Sequence, residues 1–280
     1  MREIKPRCDL AAPLSSSARE GDAPAVVAPG ALAATAAAIL DRLRTRRPRI
    51  HCITNTVAQT FTANMLLAVG AVPSMTVAPD EITAFVARAD ALLVNLGTLD
   101  RERREATQTA IEIAGDQGLP WVLDPAFVDR SEPRAAYAKS LAARTPRVIR
   151  LNRAEFATLA GRAPGRETLA SYALATLSVI GLTGEVDLVG DGVRVASIAN
   201  GDALMTRITA IGCAGSALVA AALAVENDPW LATAAALLAL GVAGELAAAR
   251  ANGPGSFAVE IVDAVYRLDQ KILDARARVR

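Results

Sequence analysis

From Ala31 onward, short aliphatic and β-branched runs alternate with longer stretches whose apolar residues recur every three or four positions. The short runs, at 50–53, 72–75, 91–96, 121–123, 148–151 and 179–182, have the length and composition of strands. Between them, 58–69, 80–89, 101–117, 134–143 and 152–160 carry amphipathic helical patterns. Strand and helix taking turns in this way predicts parallel strands linked by crossover helices, and therefore an α/β fold whose sheet is covered on both faces. Two further runs, 186–189 and 193–198, flank Gly190-Asp191-Gly192 and predict a hairpin added to that sheet. Long helices are expected over 213–225, 230–250 and 258–275.

Residues 1 to about 29 lack any periodicity and are rich in Ala, Pro, Ser and Gly, so a disordered tail is expected there. No repeat or linker divides the rest, and 30–280 reads as one domain. Composition narrows the function classes. The chain is 52% apolar but only 4% aromatic, which suits helices packed on a sheet better than an aromatic binding surface. Thirty basic residues against 29 acidic ones leave a formal charge of +1, which gives no reason to expect a nucleic-acid or membrane partner. A small molecule is the expected ligand. Cys8, Cys52 and Cys213 are too few and too scattered for a disulfide framework or zinc site, and fit a reducing cytoplasm. Charged residues near the start, from Arg2 to Asp9, argue against a secretory signal. The apolar runs 214–225 and 230–244 fall short of the roughly 20 residues of a membrane span and are expected as buried helices.

In open α/β sheets, ligands bind beyond the carboxyl ends of the strands. Polar or small residues gather just there: Thr54 and Asn55, Asn95 and Gly97, Asp124, Asn152, and Thr183 with Gly184. Each alone is ordinary capping or turn chemistry, but together they mark a site. His51, the only histidine, lies within an apolar strand without a second metal ligand nearby, and is expected as a core residue.

An ordered set of motifs runs through residues 31–275. It opens with His51-Cys52-Ile53-Thr54-Asn55 and Phe61-Thr62-Ala63-Asn64, and continues with Asn95-Leu96-Gly97-Thr98-Leu99 and Trp121-Val122-Leu123-Asp124-Pro125. Val148-Ile149-Arg150 with Asn152 and Glu155, Leu182-Thr183-Gly184-Glu185-Val186-Asp187 and Leu204-Met205-Thr206 come next. Gly212-Cys213 and Gly253-Pro254-Gly255-Ser256-Phe257 close the set. In this order they resemble the hydroxyethylthiazole kinases of the ribokinase-like superfamily. The resemblance implies a three-layer, mostly parallel ribokinase-like fold and transfer of the γ-phosphate of ATP to the alcohol of 5-(2-hydroxyethyl)-4-methylthiazole, in thiamine salvage. It also implies Mg²⁺ and a homotrimer whose substrate pocket lies between subunits.

By position, the resemblance assigns Asp124 and Glu155 to the metal and phosphate region, where carboxylates hold Mg²⁺ directly or through its waters. Arg150, Asn152 and Thr183 match ATP-contacting positions; an arginine fork suits phosphate oxygens. Met75 matches the thiazole contact, with a polarizable thioether against a heterocycle. Residues 210–213 match the anion hole, with Ala210 also beside the substrate and Cys213 as the catalytic base. A thiol at a helix N-terminus is expected to have a lowered pKa. The match is imperfect. Where the family has Gly-Thr-Gly-Cys, this chain has Ala210-Ile211-Gly212-Cys213, and Leu151 replaces a glycine after Arg150. These departures leave open a same-fold kinase for another alcohol such as a hydroxymethylpyrimidine, a weakly active thiazole-binding or regulatory protein, and a dehydratase.

Overall fold

The computed structural model describes residues 29–280; the expected tail lies outside the described residues, apart from Pro29, which opens a helix. In chain order the elements are α1 (Pro29–Arg46), β1 (Arg49–Ile53), α2 (Gln59–Ala68), β2 (Val72–Ser74), α3 (Ile82–Val86) and β3 (Ala91–Asn95). They continue with α4 (Arg101–Gln117), β4 (Trp121–Asp124), α5 (Glu132–Ala142), β5 (Val148–Asn152), α6 (Arg153–Ala160) and α7 (Arg166–Thr176). The last are β6 (Val179–Thr183), β7 (Asp187–Gly190), β8 (Val195–Ile198), α8 (Ile211–Leu223), α9 (Pro229–Ala248), α10 (Pro254–Arg267) and α11 (Gln270–Arg276). Short 3₁₀ turns at Val128–Arg130 and Ala203–Arg207 precede α5 and α8.

One eight-stranded sheet has the order β2-β1-β3-β4-β5-β6-β7-β8. The pairings from β2 to β6 are parallel, and β7 and β8 add antiparallel as the expected hairpin. Pleating sends alternate side chains to opposite faces. In β3, Ala91 and Leu93 join a core beneath α1, α2, α8, α9 and α10, while Leu92 and Val94 join a second core with residues of α4, α5 and α6. With both faces buried, every position of β3 is apolar until Asn95 at its end. The result is the three-layer α/β architecture expected.

Alanine lets α8 lie close on the sheet, against β1, β3 and β4, and nearly the whole helix is buried. The run at 230–244 belongs to the longer α9. By length and composition α9 could cross a membrane, but 78% of its apolar window is buried within the protein, as a core helix should be. Helices α1 and α7 occupy stretches where the sequence suggested no element. The helix expected over 258–275 is two helices. At Leu268 ψ turns to 131° and breaks α10, and the Asp269 carboxylate caps the Ile272 amide to start α11.

The sheet's two edges differ. Beyond β8, the last residues fold back: Ser197 and Arg280 exchange backbone hydrogen bonds of 2.7 and 2.9 Å, and the Ala199 amide donates to the Arg278 carbonyl. The Arg278 guanidinium donates to the Ala199 carbonyl and to Glu245, each at 2.6 Å. At the other edge, among the described residues, β2 pairs only with β1.

Candidate active site

The carboxyl ends of β1, β3 and β4 meet the N-terminus of α8. Cys213 is the third residue of that helix. The Asn55 amide donates to the Cys213 sulfur at 3.1 Å and to Asn95 Oδ1 at 3.2 Å, and the Asn95 amide donates to the same sulfur at 3.4 Å. The Gly97 amide donates to Asn95 Oδ1 at 3.0 Å, fixing which end of that side chain faces the thiol. A Cβ on Gly97 would lie 2.7 Å from the Asn55 side chain, so glycine here is required by close approach.

Cys213 does not have the lowered pKa expected of it. Burial, reinforced by the Asp124 carboxylate, pushes its thiol up to about 11. The two amides and Arg150 pull the other way without prevailing. A helix N-terminus favours a thiolate by a partial charge only, whereas stripping water from a full charge costs more. At neutral pH the sulfur carries its proton.

Asp124, at the end of β4, is buried and accepts a 2.8 Å hydrogen bond from Ser216 Oγ. Burial raises its pKa, and the Arg150 charge chiefly opposes the rise. Glu155 completes a capping box with Asn152 at the start of α6. Its two oxygens accept the amides of Asn152 at 2.8 Å and Phe127 at 3.0 Å. Burial, and then the Asp124 charge, raise its pKa. Asn152 spends its own Oδ1 on the amides of Ala154 and Glu155. Arg150 reaches from β5 to the first turn of α8, where a Cβ on Gly212 would lie 2.9 Å from its Nη1. Its Nε is buried with no hydrogen-bond partner among the described residues. Arg150 acts on a third carboxyl, that of Asp187, which accepts the Gly184 amide at 2.9 Å and is pushed up to about 6 by burial. The charge of one guanidinium is thus felt by Asp124, Glu155 and Asp187, although it pairs with none of them within 4.0 Å among the described residues.

Among the described residues, no group of three or more His, Cys, Asp or Glu side chains is arranged to hold a metal. Mg²⁺ does not need one, because it takes one or two carboxylates and fills its octahedron with phosphate oxygens and water. Asp124 and Glu155 fit that requirement: both offer hard oxygen donors, and a cation would offset both the burial that chiefly raises the Glu155 pKa and the Asp124 charge that adds to it.

Ala210 is the N-cap of α8 and adopts φ 73°, in the left-handed region. The departure from glycine is therefore borne as backbone strain. Ile211 begins the helix, buried against the main core, and fits without strain. Leu151 is fully buried within β5, opposite Leu182, so that departure fills core and not ligand space. Thr183 donates a long 3.4 Å hydrogen bond to the Leu151 carbonyl. Met75 follows β2, partly buried against the main core. His51 is a core residue, as expected: Ser74 Oγ lies 2.8 Å from Nδ1, and burial lowers its pKa to about 4.

The sequence reading placed Asn55 and Asn95 at strand ends without seeing that they share the sulfur. It assigned nothing to Ser216 or Asp187. Ser216 had a signal, since a residue three positions beyond Cys213 lies on the same helix face.

Comparison with known proteins decides the affiliation. Residues 40–271 match the model of the hydroxyethylthiazole kinase family. This chain belongs to that family. A probable hydroxyethylthiazole kinase of Agrobacterium fabrum is 44% identical over 247 residues, covering 88% of this chain and 95% of its own. A hydroxyethylthiazole kinase of Klebsiella pneumoniae is 46% identical, covering 80% of this chain and 92% of its own. The structure of the Pyrococcus horikoshii hydroxyethylthiazole kinase superposes with a TM-score of 0.83 at 36% identity, over 88% of this chain and 98% of that one. A ribokinase-like superfamily protein of Enterococcus faecalis, at 13% identity and TM-score 0.63, shares the fold.

Proposed function

We propose that the protein is a hydroxyethylthiazole kinase acting in thiamine salvage, with residues 30–280 working as one domain in the cytoplasm. Family membership gives the activity, and one observation ties it to this chain's own residues: Asn55, Asn95, Asp124, Arg150 and Cys213 converge at the N-terminus of α8. In the reaction the β–γ P–O bond of ATP breaks, the alcohol oxygen forms a new bond to the γ-phosphorus, and the alcohol proton is lost. Phosphoryl transfer asks mainly for positioning and charge neutralisation. Arg150 supplies a fixed positive charge, and the amides of residues 211–213 supply donors for the phosphoryl oxygens. Thr183 and Asn152 border the nucleotide. Mg²⁺, held by Asp124 and Glu155, would offset charge on the phosphate oxygens.

A thiol with a pKa of about 11 is a poor preformed base. Cys213 therefore holds the alcohol hydroxyl in place, and the proton leaves late, passing to an oxygen of the transferred phosphoryl group once bonding to phosphorus has made the alcohol oxygen acidic. The thiazole contacts Met75 and Ala210. The working form is a homotrimer with the pocket completed by a neighbouring subunit. That reading is supported by the exposed apolar residues Leu67, Val72 and Phe85, which lie together on α2, β2 and α3. A coupled ATP-turnover assay across thiazole, pyrimidine and sugar alcohols tests the activity. The thiazole alcohol should have the highest kcat/KM; preference for a pyrimidine alcohol, or no turnover above background, would overturn the proposal.

A further inference from the structure

The strand ends β3 and β4 carry Asn95 and Asp124 in register, and the ladder reaches one step further, where the Leu96 amide donates to the Asp124 carbonyl at 3.0 Å. Beyond that point the two chains diverge, toward α4 and toward the 3₁₀ turn at Val128–Arg130. Arg134, on α5, closes the gap. Its Nη1 donates to the carbonyls of Leu96, Gly97 (2.9 Å) and Ala126 (3.1 Å), two from the first loop and one from the second. Among the described residues no carboxylate pairs with it within 4.0 Å. The guanidinium is partly buried beside a second cation, Arg104. A cation in that position is compensated chiefly by carbonyl dipoles, so those carbonyls are held toward it.

We propose that Arg134 is a positioning residue for phosphoryl transfer. It acts as a cross-brace between the loops after β3 and β4 and holds Gly97, whose amide orients the Asn95 side chain on the Cys213 sulfur. The inference rests on the reading of this site as the kinase centre. One nitrogen with two N–H groups serves all three carbonyls, at least one bond being shared, so the bridge depends on the reach and charge of the arginine, and glutamine is both shorter and neutral. Misplacement of reacting groups by about 1 Å costs on the order of 100-fold in rate. Releasing the brace should therefore act on kcat and leave both KM values nearly unchanged.

The test compares the full chain with Arg134→Ala, Arg134→Gln and Arg134→Lys. For Ala and Gln, kcat should fall about 10- to 100-fold, with far smaller changes in KM for ATP and for the alcohol. Lys, which keeps a mobile cation and several donors, should recover part of the loss, and so should millimolar guanidinium added to the Ala variant. A second readout does not depend on turnover. Iodoacetamide labelling of the Cys213 peptide, followed by mass spectrometry with the buried Cys52 as internal reference, should be several-fold faster in Arg134→Ala. If the parent turns over no thiazole alcohol, the functional reading fails while the labelling result still judges the brace. A kcat within about twofold of the parent, or unchanged Cys213 labelling in a folded variant, would overturn the inference. Loss accounted for entirely by the unfolded fraction in thermal melts, with neither Lys nor guanidinium restoring turnover, would also overturn it.

Discussion

Ala210→Gly tests the strain at the mouth of the site. Ala210 is held at φ 73° and ψ −7°, where an L-residue with a Cβ pays about 1–2 kcal/mol. Glycine removes that cost but gives the unfolded chain more freedom, which offsets about 0.4–1 kcal/mol. The lost methyl is only partly buried and adds little. Taking the midpoints of the two ranges, the net expectation is a gain of about 0.8 kcal/mol. For a chain of this size that is a rise in melting temperature of about 1–4 °C. Ile211→Thr is the contrasting variant. It starts from a helical residue buried against the core, so it loses packing, buries a hydroxyl and should melt lower. Differential scanning calorimetry of the parent and the two variants, under conditions where unfolding reverses, reads both signs. Thiazole turnover in Ala210→Gly should be at least that of the parent, and Cys213→Ala added to it should remove most of that activity. A melting temperature for Ala210→Gly at or below the parent value would show that position 210 carries no strain, and the argument from its backbone would fail.

Asp187 makes stability depend on pH. Its folded pKa of about 6 lies above the ordinary 3.8, so its favourable contribution is full below about pH 4 and is lost as pH rises through 6. The difference is worth at most about 3 kcal/mol. Asp187→Asn can still accept the Gly184 amide, and its urea stability should fall less than the parent's between pH 4 and 7; parallel curves would refute this. Alkylation of Cys213 should quicken nearly tenfold per pH unit up to about pH 10, because the thiolate is the reactive form. Levelling off already between pH 9 and 10 would show the thiol to be unshifted from its ordinary value of 9.0. Gly97→Ala should push the Asn55 side chain off the sulfur, lowering kcat and costing about 1–3 kcal/mol of stability, read from melts and initial rates. Unaltered kinetics in that variant would dissociate Asn55 from catalysis.

The strands were readable because a sheet buried on both faces demands apolar runs, and those at 91–96 and 148–151 are hard to mistake. The rule that ligands gather at strand ends then singled out Asn55, Asn95 and Asp124 with no knowledge of contacts, and the structure brings the three together there. What could not be read was tertiary. The Cys213 thiol follows burial and the distant Asp124, not its local helix position. Arg134 binds carbonyl groups, which every residue possesses, so no side-chain pattern announces its partners. The break at Leu268 escaped notice because Asp269 reads as an ordinary polar position inside a helix until its side chain is seen capping Ile272.

The folding back of the last residues onto β8 also bears on how the molecule keeps to itself in a crowded solution. A bare strand edge is a template for any other strand, and here the chain's own final residues occupy that template at one side of the sheet. Pairing between molecules can then begin only at β2, and growth from one free edge stops at a pair. A chain shortened by the three residues from Arg278 would carry two bare edges, and two edges permit an unbounded ribbon. Light scattering of such a shortened chain should therefore rise with time and concentration while the 280-residue chain stays clear.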